Sequence, residues 1–572
     1  MSEYATHAGQ VMKNYWQSLV PEVAVIVFVT IAVYMHAFHN GFLPDDDLIT
    51  NSPVIRASDG LRRIWFTTET PDYYPLTWSL LWFEWRLWGN DPTGYHVINV
   101  VLHAVNAVLV WLVLRRLEIP GAWLAALIFA IHPVNVATVA WISEQKNTLS
   151  MLFFLFAILA YLRYDEVTQP HPERGWRWYV ISLTAFVLAL LSKTAIVMLP
   201  VVLLLLAWWR RGRVGWRDVL RTVPFFALSV VLGFMTMWFH HEHVLSKLPA
   251  REDGFVVRLL TAGWVPWFYL YKAILPINLT VVYPRWDISP VRWFWYLPGA
   301  ILSGGFAVFW WKRKTWGRPM LVGLGYFMVM LIPVLGFFDQ SFFRATLVAD
   351  HWQYYSIVGV IALAVAAGQK VCSGMGKQGR EVGLLAAVAV VMMLGTATWI
   401  RINVYRNHET LSRDNVIKNP KAWSAQYNLG VALWKAGRVE EAIECYKEVL
   451  RLRPDYNEVR NNLGVALAET GHLDEAIGEF REYVRSYPGN PEAHNNLGLA
   501  LARRGQFEQA IPCYKEAVRL QTNYVVAHVN LAIALTALGR TNDAINHYEQ
   551  ALRVRPDYVE AQHRLAQLQA GQ

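Results

Sequence analysis

Between residues 22 and 400 the sequence is divided into apolar runs of bilayer-crossing length, and a chain of that pattern must fold with lipid as one of its solvents. The runs lie near 22–38, 97–114, 121–140, 149–163, 178–192, 194–209, 222–239, 292–311, 319–337, 352–368 and 382–400. A further run near 258–276 carries Trp264, Pro266, Trp267, Tyr269, Tyr271 and Lys272, the aromatic and basic character of an interfacial or re-entrant segment. Charge decides how to count it. If it does not cross, five clusters fall on one side: Arg115 and Arg116; Arg163, Arg174 and Arg177; Arg210, Arg211, Arg213 and Arg217; Lys312, Arg313 and Lys314; and Lys370, Lys377 and Arg380. That is the positive-inside distribution. The expectation is therefore about eleven crossings, a cytoplasmic N-terminus and an outside C-terminus. Lys13 precedes the first run and no small-residue cleavage site follows it, so the run reads as an uncleaved anchor.

Composition agrees: 55% hydrophobic and 17% charged residues exclude an ordinary soluble protein. The net charge of +9 does not imply nucleic acid, because 35 basic and 25 acidic residues precede residue 420 while 17 and 18 follow it. The excess sits in short loops between apolar runs and is topogenic. With only Cys372, Cys445 and Cys513, neither a disulfide framework nor a zinc set can be built.

From residue 423 a 34-residue period takes over. Asn428-Leu429-Gly430 recurs as Asn462-Leu463-Gly464, Asn496-Leu497-Gly498 and, degraded, Asn530-Leu531-Ala532. Gly437, Gly471, Gly505 and Gly539 close the first helix of each unit; Ala442, Ala476, Ala510 and Ala544 allow close crossing in the second. Pro454, Pro488 and Pro556 mark the breaks, with Thr522 in place of the third. This is the tetratricopeptide (TPR) pattern, four repeats with a capping helix over 559–572. The recurring Asn428, Asn462, Asn496 and Asn530 have two readings: a ladder of amides offered to an extended acceptor peptide, or bonds made within the array.

The segments "NGFLPDDDLITNSP", "YYPLTWSLLW", "GNDPTGYHVINVVLHAVNAVLVWLVLRRL", "ALIFAIHPVNVATVAWISEQKNTLS", "LLSKTAIVMLP" and "VADHWQYY" together resemble bacterial TPR membrane proteins akin to the eukaryotic transmembrane-and-TPR O-mannosyltransferases, glycosyltransferases of the GT-C class. The resemblance implies transfer of one sugar from a polyprenyl-phosphate-linked donor to a protein hydroxyl outside the membrane, with acidic residues after the first span at Asp45, Asp46 and Asp47. The sequence departs from the related pattern at Pro44, often tyrosine, at Ala137, often glutamate, and at His351, often arginine.

A Ser or Thr hydroxyl needs a base to attack an anomeric carbon. Mutual repulsion in the Asp45–Asp47 run would raise at least one carboxyl pKa. Asp45 and Asp46 are the expected base, and Asp47 would orient the acceptor or join a divalent cation, Mg or Mn, although no spacing demands a metal. The donor phosphate calls for cations at the outer rim: Lys146, Lys193, Arg344 and His351, with Glu144 as a pairing partner. His96, Asn99, His103 and Asn106 form one polar stripe expected to hold the bundle together. The adjacent His240, His241 and His243 lack the spacing of a strong metal site.

The predicted architecture is all-α: a GT-C-like transmembrane bundle over 1–403 with a long first outer loop 39–95, a linker 404–422, and a TPR solenoid 423–572. The predicted function is inverting O-glycosylation of an acceptor polypeptide captured by the outside array, in a bacterial inner membrane with the array periplasmic or extracellular. A non-catalytic membrane-anchored TPR scaffold is the alternative, and a flippase or transporter a third reading.

Overall fold

The computed structural model describes residues 19–168, 172–247, 251 and 253–570, without the side chains of 172–174 and 247. The N-terminus, expected to be cytoplasmic, and the side chain of Arg174 in one basic cluster fall outside what is described. Those described are helical throughout, with no strand among them, and the chain divides into two compact units at Asn419 and Pro420.

In the first unit, nine helices among the described residues are long and apolar enough to cross a membrane, ten if Ala122–Ala130 and Pro133–Val139, bent by 44°, count as one. This is an integral membrane protein. The predicted run 292–311 becomes a short 3-10 turn and helix Leu297–Trp311 of 15 residues, which is why it stands apart from those nine. The ambiguous run forms helix Phe255–Ile274, which is not among them either.

The bent pair leaves backbone groups unpaired inside the bundle, where no water can satisfy them. The polar stripe of helix Thr93–Arg116 supplies partners. Asn99 donates to the carbonyls of Thr138 (3.0 Å) and Val139 (2.9 Å), and accepts from Thr148 Oγ1 at 2.6 Å. His103 bonds the Ala130 carbonyl at 2.9 Å and Tyr354 Oη at 2.8 Å. Asn106 donates to the Thr148 carbonyl at 2.8 Å. The stripe thus holds a broken span in place.

Helix Ile142–Thr168 fixes the two ends of the unit. Near its C-terminus, Asp165 meets Arg211 (2.7 Å) and Arg210 (3.3 Å), and Glu166 meets Arg116 (2.7 Å) and Arg163 (3.6 Å). Members of three predicted inside clusters therefore meet at one point. Lys146 lies at the other end of that helix, about 30 Å away at 1.5 Å per residue.

The predicted linker differs from expectation. Residues 408–418 form helix His408–Lys418, capped by Asn407, and Asn415 Oδ1 accepts from Thr280 Oγ1 (2.5 Å) and the backbone N–H groups of Val281 (2.9 Å) and Val282 (3.2 Å). Those bonds make the segment part of the first unit. Its low hydrophobicity hid it, because it is held by polar contacts.

The second unit is the TPR solenoid, ending in helix Val559–Ala570. Gly430, Gly464 and Gly498 are where the paired helices touch: an added Cβ would lie 2.6–2.7 Å from the rings of Tyr446, Phe480 and Tyr514. Gly437, Gly471, Gly505 and Gly539 take φ of +72° to +83° where each first helix ends.

Candidate functional site

Five segments converge at the end of the membrane unit away from Asp165. The acidic run follows the first span, where Asp45 adopts φ 73°. Asp46 is fully buried, and its carboxylate is consumed by backbone: Oδ2 accepts Leu43 N–H at 2.8 Å and Oδ1 accepts Ser143 N–H at 2.9 Å. Burial pushes the Asp46 carboxyl well up, with the two amide bonds working against that. Such an acid ties the first loop to residues 141–144, where Trp141 also donates to the Pro44 carbonyl at 2.9 Å. Of the two expected bases, Asp46 is thus occupied and Asp45 is not fixed in this way. Asp47 begins the short helix Asp47–Thr50 and is exposed.

The cations gather around Glu144. Its carboxylate lies 3.4 Å from Lys146 Nζ, 3.5 Å from Lys193 Nζ and 4.0 Å from His351 Nε2, and it accepts a hydrogen bond from Asn147 at 2.5 Å. Glu144 and His351 are buried while Lys146 keeps partial exposure. Surrounding protein desolvates the Asp45 carboxyl and raises its pKa; Lys146 lowers it, and Glu144 and Asp47 raise it further. The same desolvation brings Lys193 down to about 8 against the pull of Glu144. His351 falls to about 4 through burial, so it is a neutral imidazole at neutral pH.

Arg344 behaves differently from the other expected cations. Its guanidinium is engaged by Asp339 and by the Gln340 carbonyl at 3.1 Å. A nearby acid five residues away in sequence competes successfully for it.

Three residues of the cluster were not assigned to it from sequence. Asp72 lies 3.4 Å from His240 Nδ1, and although burial opposes its ionisation, His240, Lys146 and Lys193 hold its carboxyl below the usual range. Tyr74 is bonded to Thr194 and lies near Lys146 and Glu144. His240 Nε2 also accepts the Ser341 N–H at 3.4 Å, bringing the 338–344 segment alongside. The available signal was the position of Asp72 directly before the "YYPLTWSLLW" segment, which Thr77 fixes through its bond to the Ser192 carbonyl at 2.9 Å. A second buried acid, Asp350, accepts from Tyr283 Oη at 2.7 Å; burial lifts it to about 6.

For a divalent cation, no three His, Cys, Asp or Glu side chains converge as a ligand set among the described residues.

In the array, the recurring asparagines bond between repeats. Asn462 donates to Tyr427 Oη (3.1 Å), Asn496 to Asn461 Oδ1 (3.0 Å) and Asn530 to Asn495 Oδ1 (2.9 Å). All four asparagines, Asn428 included, stay half-buried. The rungs at Asn462 and Asn530 each use one amide proton, while the Asn496 amide also accepts from Asn495 Nδ2 at 3.5 Å.

The sequence matches the dolichyl-phosphate-mannose-protein mannosyltransferase family over residues 71–239, a stretch containing Asp72, Glu144, Lys146 and Lys193. It matches tetratricopeptide-repeat families over 409–457, 427–491 and 491–557. It is similar to Protein O-mannosyl-transferase F38B6.6 of Caenorhabditis elegans, with 21% identity over 76% of this chain and 63% of that protein. With Protein O-mannosyl-transferase TMTC4 of Homo sapiens it shares 25% identity over 77% of this chain and 66% of the relative. With TMTC3 of Mus musculus it shares 31% identity over 29% and 19%. The chain therefore spans just under two thirds of the length of the first and second of these relatives. It is a membrane protein that joins a segment matching the dolichyl-phosphate-mannose-protein mannosyltransferase family to a TPR array, and over about three quarters of its length it is similar to the protein O-mannosyl-transferases.

Proposed function

We propose that this protein is an inverting O-glycosyltransferase that moves a sugar from a polyprenyl-phosphate-linked donor to a Ser or Thr hydroxyl of a polypeptide held by the TPR groove. The reading rests on the curated relatives, which are named protein O-mannosyl-transferases, and on one observation: Glu144 stands between Lys146 and Lys193 at 3.4 and 3.5 Å. One carboxylate between two ammonium groups carries a net single positive charge, which complements a phosphodiester of single negative charge.

The acceptor hydroxyl oxygen attacks the anomeric carbon, the new C–O bond forms, and the bond from that carbon to the phosphate oxygen breaks. Asp45 takes the hydroxyl proton. The electron pair leaves with the polyprenyl phosphate, whose charge grows from one to two. Lys146 and Lys193 act where that charge develops, so they stabilise the transition state more than the bound donor. No protein acid is required, since phosphate is already a good leaving group. Asp46 positions Asp45 through its backbone bonds, and neutral His351 packs 4.0 Å from Glu144. Arg344 lies on the flanking 338–344 segment and stands as a further donor contact, and Asp47 as an acceptor contact or a ligand of a Mg or Mn ion.

The array serves capture: the amide groups of Asn428, Asn462, Asn496 and Asn530 bond the backbone of an extended acceptor. The Asp45 end and the array then face the outer, periplasmic compartment of a bacterial inner membrane, with the Asp165–Glu166 cluster on the cytoplasmic side. The test is intact-mass analysis of exported proteins from cells with the native chain, with Lys146→Ala/Lys193→Ala, or without the chain. A hexose-sized increment present only with the native chain supports the reading; its persistence in the double variant overturns the site.

A further inference from the structure

A second site lies in the membrane unit, toward the end opposite Glu144. A cavity of about 660 Å³ runs between helices Thr93–Arg116, Ile142–Thr168, Thr194–Arg211, Gly317–Val334 and Ile357–Gly374. Its wall follows the last of these from Val358 to Ser373, about 22 Å at 1.5 Å per residue. Over most of that length the lining is aliphatic, with Val113, Leu155, Val202, Leu206 and Leu363 among its members. The polar lining is gathered at one end: Glu118, Gln369, Lys370 and Ser373, beside Trp209 and Trp316. Long, apolar and polar only at the mouth, the cavity has the form of a lipid chain with its headgroup.

The cavity is framed by close packing at both ends. At the end away from Lys370, helices Gly317–Leu331 and Ile357–Gly374 touch at Gly323 and Gly359, where a Cβ on Gly359 would lie 2.5 Å from the Gly323 carbonyl oxygen. Trp209 donates its indole N–H to the Leu117 carbonyl at 3.0 Å, and Arg318 binds the carbonyl of Trp208 at 3.0 Å. Gly121, at φ +72°, admits Val365 and Gln369 so closely that a Cβ would meet them at 2.5 and 2.9 Å.

The charge at the mouth identifies the occupant. Glu118 and Lys370 are both exposed there, and neither forms an ion pair among the described residues. Glu118 holds φ 57°, a left-handed conformation unusual for a non-glycine residue. One acid and one base lining the same mouth complement a zwitterion. A purely anionic headgroup would gain from Lys370 and be repelled by Glu118.

We propose that this cavity binds one aminophospholipid, its chain lying along the aliphatic wall, its phosphate at Lys370 and its ammonium at Glu118. The site is separate from the proposed transfer centre and does not depend on it.

The full chain is extracted in mild detergent from cells whose membranes contain phosphatidylethanolamine and phosphatidylglycerol, and retained lipid is measured by native mass spectrometry. The expected result is about one phosphatidylethanolamine per chain, enriched over the membrane average. Glu118→Lys changes only the mouth; it should lower retained phosphatidylethanolamine at least tenfold and bring in phosphatidylglycerol. Ala366→Trp, which fills the cavity, should abolish retention of both. Retention of phosphatidylglycerol in preference to phosphatidylethanolamine by the unaltered chain overturns the proposal, as does unchanged headgroup preference in Glu118→Lys. Reconstitution in vesicles of either phospholipid alone gives an independent reading: melting should occur several degrees higher in phosphatidylethanolamine, and equal melting counts against the site.

Discussion

Asp46 accepts the backbone N–H of Ser143 at 2.9 Å, across 97 positions of sequence, and this bond sets how far the acidic run stands from Glu144, the next residue along. With its second oxygen on Leu43 N–H at 2.8 Å, Asp46 has the geometry of a brace, which leaves Asp45 as the carboxylate for proton transfer. The neighbouring acids are thus separable by experiment.

Asp45→Asn is expected to reduce transfer by about 10²–10⁴-fold, the range typical for loss of a general base, with the melting temperature unchanged. Asp46→Asn keeps an oxygen for one amide but sets an NH₂ against the other. It should destabilise the protein by about 1–3 kcal/mol, read by thermal unfolding in detergent. Equal melting of the two variants would remove the distinction.

Transfer should follow a bell-shaped pH profile. Asp45 acts only when ionised, and its carboxyl is raised by desolvation, so activity climbs with pH through an acid limb above the ordinary carboxylate range. Lys193 binds phosphate only when protonated, and burial brings it down to about 8, so donor affinity falls as pH rises through that value. Lys193→Arg keeps its charge at all working pH values, and its alkaline limb should vanish in the KM for donor.

In the array, Asn496→Ala and Asn530→Ala each remove an inter-repeat hydrogen bond, at about 0.5–1.5 kcal/mol. Hydrogen exchange on the full chain should show faster opening at the affected repeat junction. Gly464→Ala should do more, because its Cβ would sit 2.7 Å from the Phe480 ring, an overpacking that costs about 1–3 kcal/mol. Ala532, already present in the fourth repeat, is the internal control.

Asn99→Leu should destabilise the bundle by about 1–2 kcal/mol, at the upper end for polar contacts in membranes, since it leaves the Thr138 and Val139 carbonyls without their donor. Thermal unfolding in detergent measures it. Val101→Leu, on the exposed face of the same helix, should be neutral.

What could be read in the sequence is what repeats or what lipid dictates. The 34-residue period identified the solenoid, and apolar length found the crossings, because both signals are carried by many residues at once. The Glu144, Lys146, Lys193 and His351 grouping came from their positions at predicted span ends. Asp72 and His240 could not be found that way, since their pairing depends on how the first loop folds over the bundle. The pairing of Arg344 with Asp339 was not legible, because ion-pair choice is local. The segment 408–418 looked like a connector because polar anchoring leaves no hydrophobic trace.

The helix bearing Lys146 at one end and Asp165 and Glu166 at the other is bounded by charge at both ends, about 30 Å apart. Neither charged end can sink into hydrocarbon, so the rod measures membrane thickness, and a thicker or thinner bilayer must either deform around it or tilt it. Tilting would swing Glu144 and Lys146 relative to Asp45, which makes acyl-chain length a determinant of turnover in reconstituted vesicles.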